Sequence, residues 1–536
     1  MGRKAYINGL VYTADENKLK AASFIVEDGR FAYVGDATDL AGCDECTDLG
    51  GACVIPGLVD SHCHMISGVE QSAMDVEFVE QTTTPGELGD VMLELKRKAR
   101  RSDKDCMVAM GIDLTVGTFS AADIDRAVSD RPVVVFSFDG HALLLNSFAM
   151  KKLGIDENAE DPSEDSYYAR DEKGVPTGLV IEIPAMRPCK KLFAKPTPEI
   201  CRGALGELSQ AYSALGYTTV FDAMSLEDES PLIPEALDSL DREGALNLRA
   251  VLSFGYSGAV GASEAVRSME KIRSSFSSPN VIPDTLKMIG DGTIEEHSAL
   301  LGEPYSDEKG GYGSLLMKPE DMAEAASLAA KAGFSVHIHA IGDKAVDNAL
   351  EVLTSLGEIK GTKTIAHNQL YTDAAIKKIS EAGDIFFQTT PQWMTADEHT
   401  LRCLGPQRFS RQFPVGTMVK RGVTVTFGSD CCLEEANSDA FLGMFYACAR
   451  GNKEMCGEEC LVPESESITR MESLFAYTAN GARQLGLSDE TGSIKEGLSA
   501  DFVIVDRDII NCPLPELKDT EVIKTYFRGK TVYGGE

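Results

Sequence analysis

An alternation constrains this chain most: Val/Ile-rich or aromatic runs at 54–64, 132–138, 218–222, 248–254, 286–291, 334–340, 364–367, 385–390 and 423–430 are separated by stretches of helical character. Strands that alternate with helices build a parallel sheet through crossover connections. Several of these runs end on side chains that hold metals. His62 and His64 close the first, His337 and His339 lie in FSVHIHA, His367 ends TKTIAH, and the last run stops at Asp430. In an extended strand residues i and i+2 face the same way, so His62 and His64 can reach one ion while Cys63 points away from it. A bare H-x-H is more often ordinary buried or surface histidine. Here five of the chain's eight histidines sit in three such contexts. Neutral imidazole with carboxylate suits Zn, Mn or Fe, so these strand ends describe a divalent metal site.

Eight segments then carry a resemblance: PGLVDSHCH at 56–64, FDGHALLLNSFAM at 138–150, GVPTGLVIE at 174–182, LKMIGDGT at 286–293, HIHAIGDKAV at 337–346, IAHNQ at 365–369, GSD at 428–430 and GSIKEGLSADFVIVD at 492–506. In this order the chain resembles the metal-dependent amidohydrolase superfamily, and within it amidohydrolase family 3, the group that includes N-substituted formamide deformylases. The resemblance implies an α/β fold, a (β/α)8 TIM-like barrel, with the H-x-H on the first strand, a lysine on the fourth, histidines on the fifth and sixth and the aspartate on the eighth. Nine runs are one too many, and the order fits if 132–138 is left out. The expected layout is therefore a barrel over 57–479 with an insertion at about 75–205 after strand 1, and a small β-sandwich from 1–56 and 480–536. Both ends read as short strands around tight turns, the first a single run over Ala5 to Thr13, with Asp28-Gly29 as a hairpin signal.

The same resemblance assigns residues. His62, His64, His339, His367 and Asp430 are expected to ligate metal, with Lys287 as a carboxylated bridge between two ions. Glu182 and Asp291 are the alternative bridging ligands or substrate contacts, and Asp291, on one strand face with Lys287, could pair with that lysine instead. A lysine pointing into a barrel is costly as a bare ammonium. His337 is expected to support the ligands, and Asn368, Gln369, Gly342 and Asp343 to orient the loops. Asp430 is expected to shuttle the proton and His141 to stabilise the oxyanion. Trp393, with Met224, Tyr312 and Gln388, is expected to set selectivity. Two departures from the family pattern, His297 where arginine is common and Cys431-Cys432 after Asp430, bear on the substrate rather than the chemistry.

The reaction implied is hydrolysis of a non-peptide C–N bond, in an N-acyl or N-formyl amine or a cyclic amide, by metal-activated hydroxide. One or two divalent ions are needed, Zn first, Mn or Fe next. The rivals are a mononuclear aminohydrolase that deaminates a small heterocycle and a non-catalytic scaffold of the same fold. A formal net charge of -33 argues against a nucleic-acid partner. No run reaches the roughly 20 apolar residues that span a bilayer, and the first residues lack a signal-peptide core. The expected protein is cytoplasmic, bound to no membrane, a homo-oligomer such as a dimer, with a small-molecule substrate and reduced thiols among its 14 cysteines.

Overall fold

The computed structural model describes residues 2–36, 42–72, 76–98, 106–138, 140–163, 166–193, 195–226, 232–276, 278–307, 311–433, 438–452, 455 and 461–535, with backbone alone at 70, 71, 98 and 224–226. Eight parallel strands form its centre: β1 (Leu58–Cys63), β2 (Tyr217–Leu226), β3 (Arg249–Tyr256), β4 (Val281–Ile289), β5 (Ser335–Ala340), β6 (Lys363–His367), β7 (Ile385–Thr389) and β8 (Val425–Phe427). They pair in sequence order from β1 to β8. Helices follow most of them and cover the outside. Both faces of each strand are thus buried, and the strands read as near-continuous apolar runs.

Between β8 and β1 closure is made by individual bonds. Asp430 N donates to His62 O at 2.8 Å, His64 N to Cys431 O at 3.0 Å and Ser61 Oγ to Phe427 O at 2.7 Å. Asp60 adds a clamp, accepting from Ser429 N at 3.0 Å and from Ser429 Oγ at 2.6 Å. A Cβ on Gly428 would lie 2.5 Å from His62 N, so only glycine lets the two strand ends approach. The (β/α)8 barrel expected from the sequence is therefore present, and the run at 132–138 lies outside it.

That run, Val133–Ser137, belongs to a six-stranded sheet inserted between β1 and β2, with strands Val76–Phe78, Met107–Ile112, Ala142–Leu145, Pro176–Ile181 and Tyr167–Arg170. Leu88, Met92, Ile124 and Val135 fill one of its faces and Val134, Leu143, Tyr168 and Val180 the other. Helix Pro198–Ala214 then returns the chain to the barrel wall against helix Leu232–Arg242.

Both ends of the chain meet in two further sheets around one core, where Tyr6, Phe24, Phe502 and Tyr526 stack or meet edge to face. Asp28 and Gly29 both take positive φ, 49° and 79°, and join Ser23–Glu27 to Arg30–Gly35 as the hairpin signal predicts. The first strand region differs from its reading as one run. Asn8 at φ 57° breaks it, sending Lys4–Ile7 into one sheet and Leu10–Tyr12 into the other. Helix Ala479–Gln484 packs on β1, and the chain re-enters these sheets at Phe502–Val505. No disulfide joins two described cysteines, and no helix among the described residues is long and apolar enough to cross a membrane.

Candidate metal centre

Strand register brings the centre together. Pairing of β4 with β5 sets Lys287 beside His337 and Ile289 beside His339, and pairing of β5 with β6 sets Ala340 beside His367. All lie at C-terminal strand ends, where barrels of this kind carry their chemistry. His62, His64 and Asp430 form one compact group whose ligand atoms lie within 4.8 Å of one another. His64 Nε2 is 3.0 Å and His62 Nε2 3.3 Å from Asp430 Oδ1. On the other oxygen, His367 Nδ1 stands 3.2 Å from Asp430 Oδ2. Among the described residues neither ring nitrogen of His367 has an aligned hydrogen-bond partner, although the ring is buried.

Behind these side chains, His337 Nε2 meets His62 Nδ1 at 3.0 Å, which leaves His62 Nε2 turned to the centre. Lys287 Nζ approaches that same His62 Nε2 at 3.4 Å. No ion pair joins Lys287 to Asp291. Instead Asp291 accepts from Leu300 N at 2.9 Å, Ile341 N at 3.0 Å and Gly342 N at 2.9 Å, tying together the loops that follow β4 and β5. Its side chain still lies 3.6 Å from His339 Nε2, which also faces Gly292 O at 3.5 Å. His339 and His367 rings sit 4.3 Å apart.

The insertion contributes a second wall. Glu182 is buried, and its Oε2 lies 3.0 Å from His141 Nδ1 while Ser298 Oγ donates to Oε1. The His141 ring is 6.1 Å from that of His339. Trp393 lies flat on His367, ring centres 5.6 Å apart at 12°, and is 37% exposed. Gln388 is buried below, Tyr312 is exposed, and the side chain of Met224 and all of Asp139 lie outside the described residues. Asn368 donates to Ile365 O and Gln388 O, Gln369 to Gln412 Oε1, and Asp343 accepts from Gly302 N.

Burial sets the charges. It drives His62, His337 and His339 well below the ordinary imidazole range, with Lys287 reinforcing the first two and His367 the third, and it lowers His367 against Asp430. Neutral rings have lone pairs to offer. Burial alone would raise Asp430, but the His367 and His62 rings beside it hold the carboxyl well below its usual range. Lys287 is brought down to about 8 by burial, with Asp430 working against the shift. Burial would also raise Glu182, yet His141 and Ser298 hold it net lower than usual. Asp291 rises to about 7 because burial outweighs its three N–H donors.

A buried carboxylate with His62, His64 and His367 around it, the last with both ring nitrogens out of hydrogen-bond alignment, fits a divalent cation held by His62, His64 and Asp430 with His367 beside them. Two supporting residues escaped the sequence reading. Asp60 sits two before His62, on the same strand face, and the period-2 rule could have found it. Ser298 carries no local signal, since its partner Glu182 is 116 residues away.

A family model described as amidohydrolase family matches residues 45–533. The putative amidohydrolase YtcJ of Bacillus subtilis (strain 168) is 26% identical over 98% of this chain and 98% of its own. The N-substituted formamide deformylase of Arthrobacter pascens is 24% identical over 98% of this chain and 97% of its own. Among solved structures, an uncharacterized metal-dependent hydrolase from Pyrococcus horikoshii OT3 superposes with a TM-score of 0.74 at 23% identity, over 96% of this chain and 99% of that one.

Proposed function

We propose, from the premise that this chain belongs to the amidohydrolase family and is a metal-dependent hydrolase, that it cleaves a non-peptide C–N bond in a small N-acyl or N-formyl amine or cyclic amide. The observation that carries this reading is the Asp430 carboxylate, anionic and buried, with His62, His64 and His367 arranged around its two oxygens. His62, His64 and Asp430 would hold one ion. His339 and His367, bridged by a carboxylated Lys287, would hold a second, and zinc suits the donors. When bound, such an ion supplies Lewis acidity and makes water acidic near pH ~7.

The protein's own groups do the rest. Asp430 takes the proton of the attacking water and returns it to the leaving amine, because its carboxylate is already ionised. His141, held at Nδ1 by Glu182, presents its other nitrogen to the oxygen that gains charge. Trp393 gives the substrate a flat wall over His367, and Asp291 holds the two loops that frame the opening. The working form is a homodimer acting on a diffusible small molecule.

Two measurements on the full chain test this. Metal content by elemental mass spectrometry is expected to fall in His62→Ala, and a panel of N-formyl amines and cyclic amides is expected to release free amine. Asp430→Asn should leave the fold intact and lower turnover by roughly 10²- to 10⁴-fold, the usual worth of a positioned acid–base group. Ammonia release from heterocycles with no amide cleavage would replace this reading with a deaminase.

A further inference from the structure

Outside the barrel centre a second set of metal-type side chains converges: His297 in the loop after β4, Asp307 ten residues on, and Cys403 in helix Glu398–Phe409. Their donor atoms lie within 4.8 Å of one another. His297 Nε2 is 2.6 Å from Asp307 Oδ2 and 3.7 Å from Cys403 Sγ, and the sulfur is 3.9 Å from the same carboxylate oxygen. Three donors of three kinds thus lie within reach of one another.

The arrangement does not suit a cysteine nucleophile. A histidine base uses one ring nitrogen for the nucleophile and the other for its orienting carboxylate. Here thiol and carboxylate crowd the same Nε2. A plain His–Asp pair, for its part, gives no reason for a buried sulfur to be the third atom at that nitrogen. One cation accounts for all three, since nitrogen, oxygen and sulfur together suit zinc, with Asp307, 23% exposed in its side chain, on the solvent side.

The surroundings are already set for such a site. His297 has a left-handed backbone, φ 59°, and its ring packs against Tyr305 at 4.5 Å. Loop and helix are joined nearby: Ser306 N donates to Cys403 O at 2.7 Å, His399 Nε2 lies 3.1 Å from Glu295 O, and Thr400 Oγ1 donates to Glu295 Oε1 at 2.9 Å. We propose that His297, Asp307 and Cys403 bind a zinc-class divalent cation, distinct from that of the barrel, which clamps the loop after β4 to the helix after β7. Binding replaces the Cys403 S–H bond by a sulfur–metal bond and releases the proton to solvent. The consequence reaches the centre through the neighbouring residue. Ser298 donates to Glu182, which in turn holds His141, so the clamp fixes the wall from which His141 acts.

Chelator-stripped full-length protein titrated with Co2+ tests the site, because a thiolate–cobalt contact gives a near-ultraviolet charge-transfer band and the proposed barrel ligands include no thiolate. The band is expected in the wild type and in Asp430→Asn, and absent in Cys403→Ser and His297→Asn. Zinc content is expected to be one equivalent per chain lower in Cys403→Ser than in the wild type. A folded wild type without the band, a band that survives Cys403→Ser, or unchanged zinc content in that variant would overturn the proposal. Should Cys403→Ser fail to fold, the wild-type band and its loss in His297→Asn decide.

Discussion

Lys287→Met separates the two accounts of the buried lysine, a bridge for metal or a plain counter-charge. Lys287 is 3% exposed, no carboxylate among the described residues forms an ion pair with it, and burial lowers its ammonium from 10.5 to about 8 despite the pull of Asp430. Holding that charge inside therefore costs roughly 3 kcal/mol at neutral pH. Methionine keeps a similar length and shape and removes the charge. The sign follows from proton counting. The unfolded lysine keeps its proton up to 10.5, the folded one gives it up near 8, so the folded state binds fewer protons between those values and wild-type stability rises with pH across that window. The methionine variant lacks this rise. Urea unfolding of chelator-treated protein should find the variant more stable by about 3 kcal/mol at pH 7, the difference closing toward pH 10.5. Zinc-loaded samples supply the other half. Loss of the bridge lowers metal content, and the stabilisation that zinc gives the wild type shrinks in the variant. A variant that is less stable without metal, and holds as much of it as the wild type, would refute the reasoning and make Lys287 the cation that Asp430 requires.

Three further outcomes are expected. Glu182→Gln keeps the shape at His141 but trades a charged acceptor for a neutral one, a loss of about 1 kcal/mol that lowers kcat several-fold with metal content unchanged; a fall in metal content would make Glu182 a ligand. Trp393→Ala removes the stack on His367 and should weaken substrate binding by about 0.5–1.5 kcal/mol, read as a raised KM; unchanged KM across the amide panel would remove Trp393 from the substrate wall. Arg249→Met strands the carboxylate of Asp501, both side chains being 1% exposed and ion-paired between barrel and end sheets, and should cost about 3–5 kcal/mol in urea unfolding; a loss under about 1 kcal/mol, the scale of a surface pair, would show that the contacts of Asp501 with Thr491, Ser499 and Arg528 suffice.

Much of the fold was legible because its signals are periodic. The H-x-H at 62–64 announces a strand face, and the excess run at 132–138 announced an insertion once the ligand order was imposed. What stayed hidden is contact between distant segments. LKMIGDG suggested Lys287 and Asp291 as partners because they share a strand face, but Asp291 lies past the end of β4 and turns to the backbone of Leu300, Ile341 and Gly342. No pattern in the chain pairs residue 291 with residue 341. The run at 5–13 divides at Asn8-Gly9, a turn signal set among residues that otherwise favour extended backbone, and Asn8 takes the positive φ that the turn requires.

The backbone turns sharply where the strands and the insertion deliver their side chains to the centre. His367, Asn368, Asp430 and Glu182 all have positive φ, at 72°, 56°, 51° and 67°, and none is glycine. Each such residue costs of order 1–3 kcal/mol and persists only where its surroundings over-determine it. Here they do: Asp430 N is fixed to His62 O, Glu182 N to His141 O, Asn368 N to Ala340 O, and the Asn368 side chain to Ile365 and Gln388. A regular strand would carry the next side chain to the opposite face of the sheet, whereas a left-handed residue at its end turns the chain and lets His367 and Asp430 face each other across the barrel mouth. The strain is therefore tied to the geometry that brings His367 Nδ1 to 3.2 Å from Asp430 Oδ2. Relaxing it at Asp430 would leave the sequence motif intact and move its carboxylate away from the imidazoles.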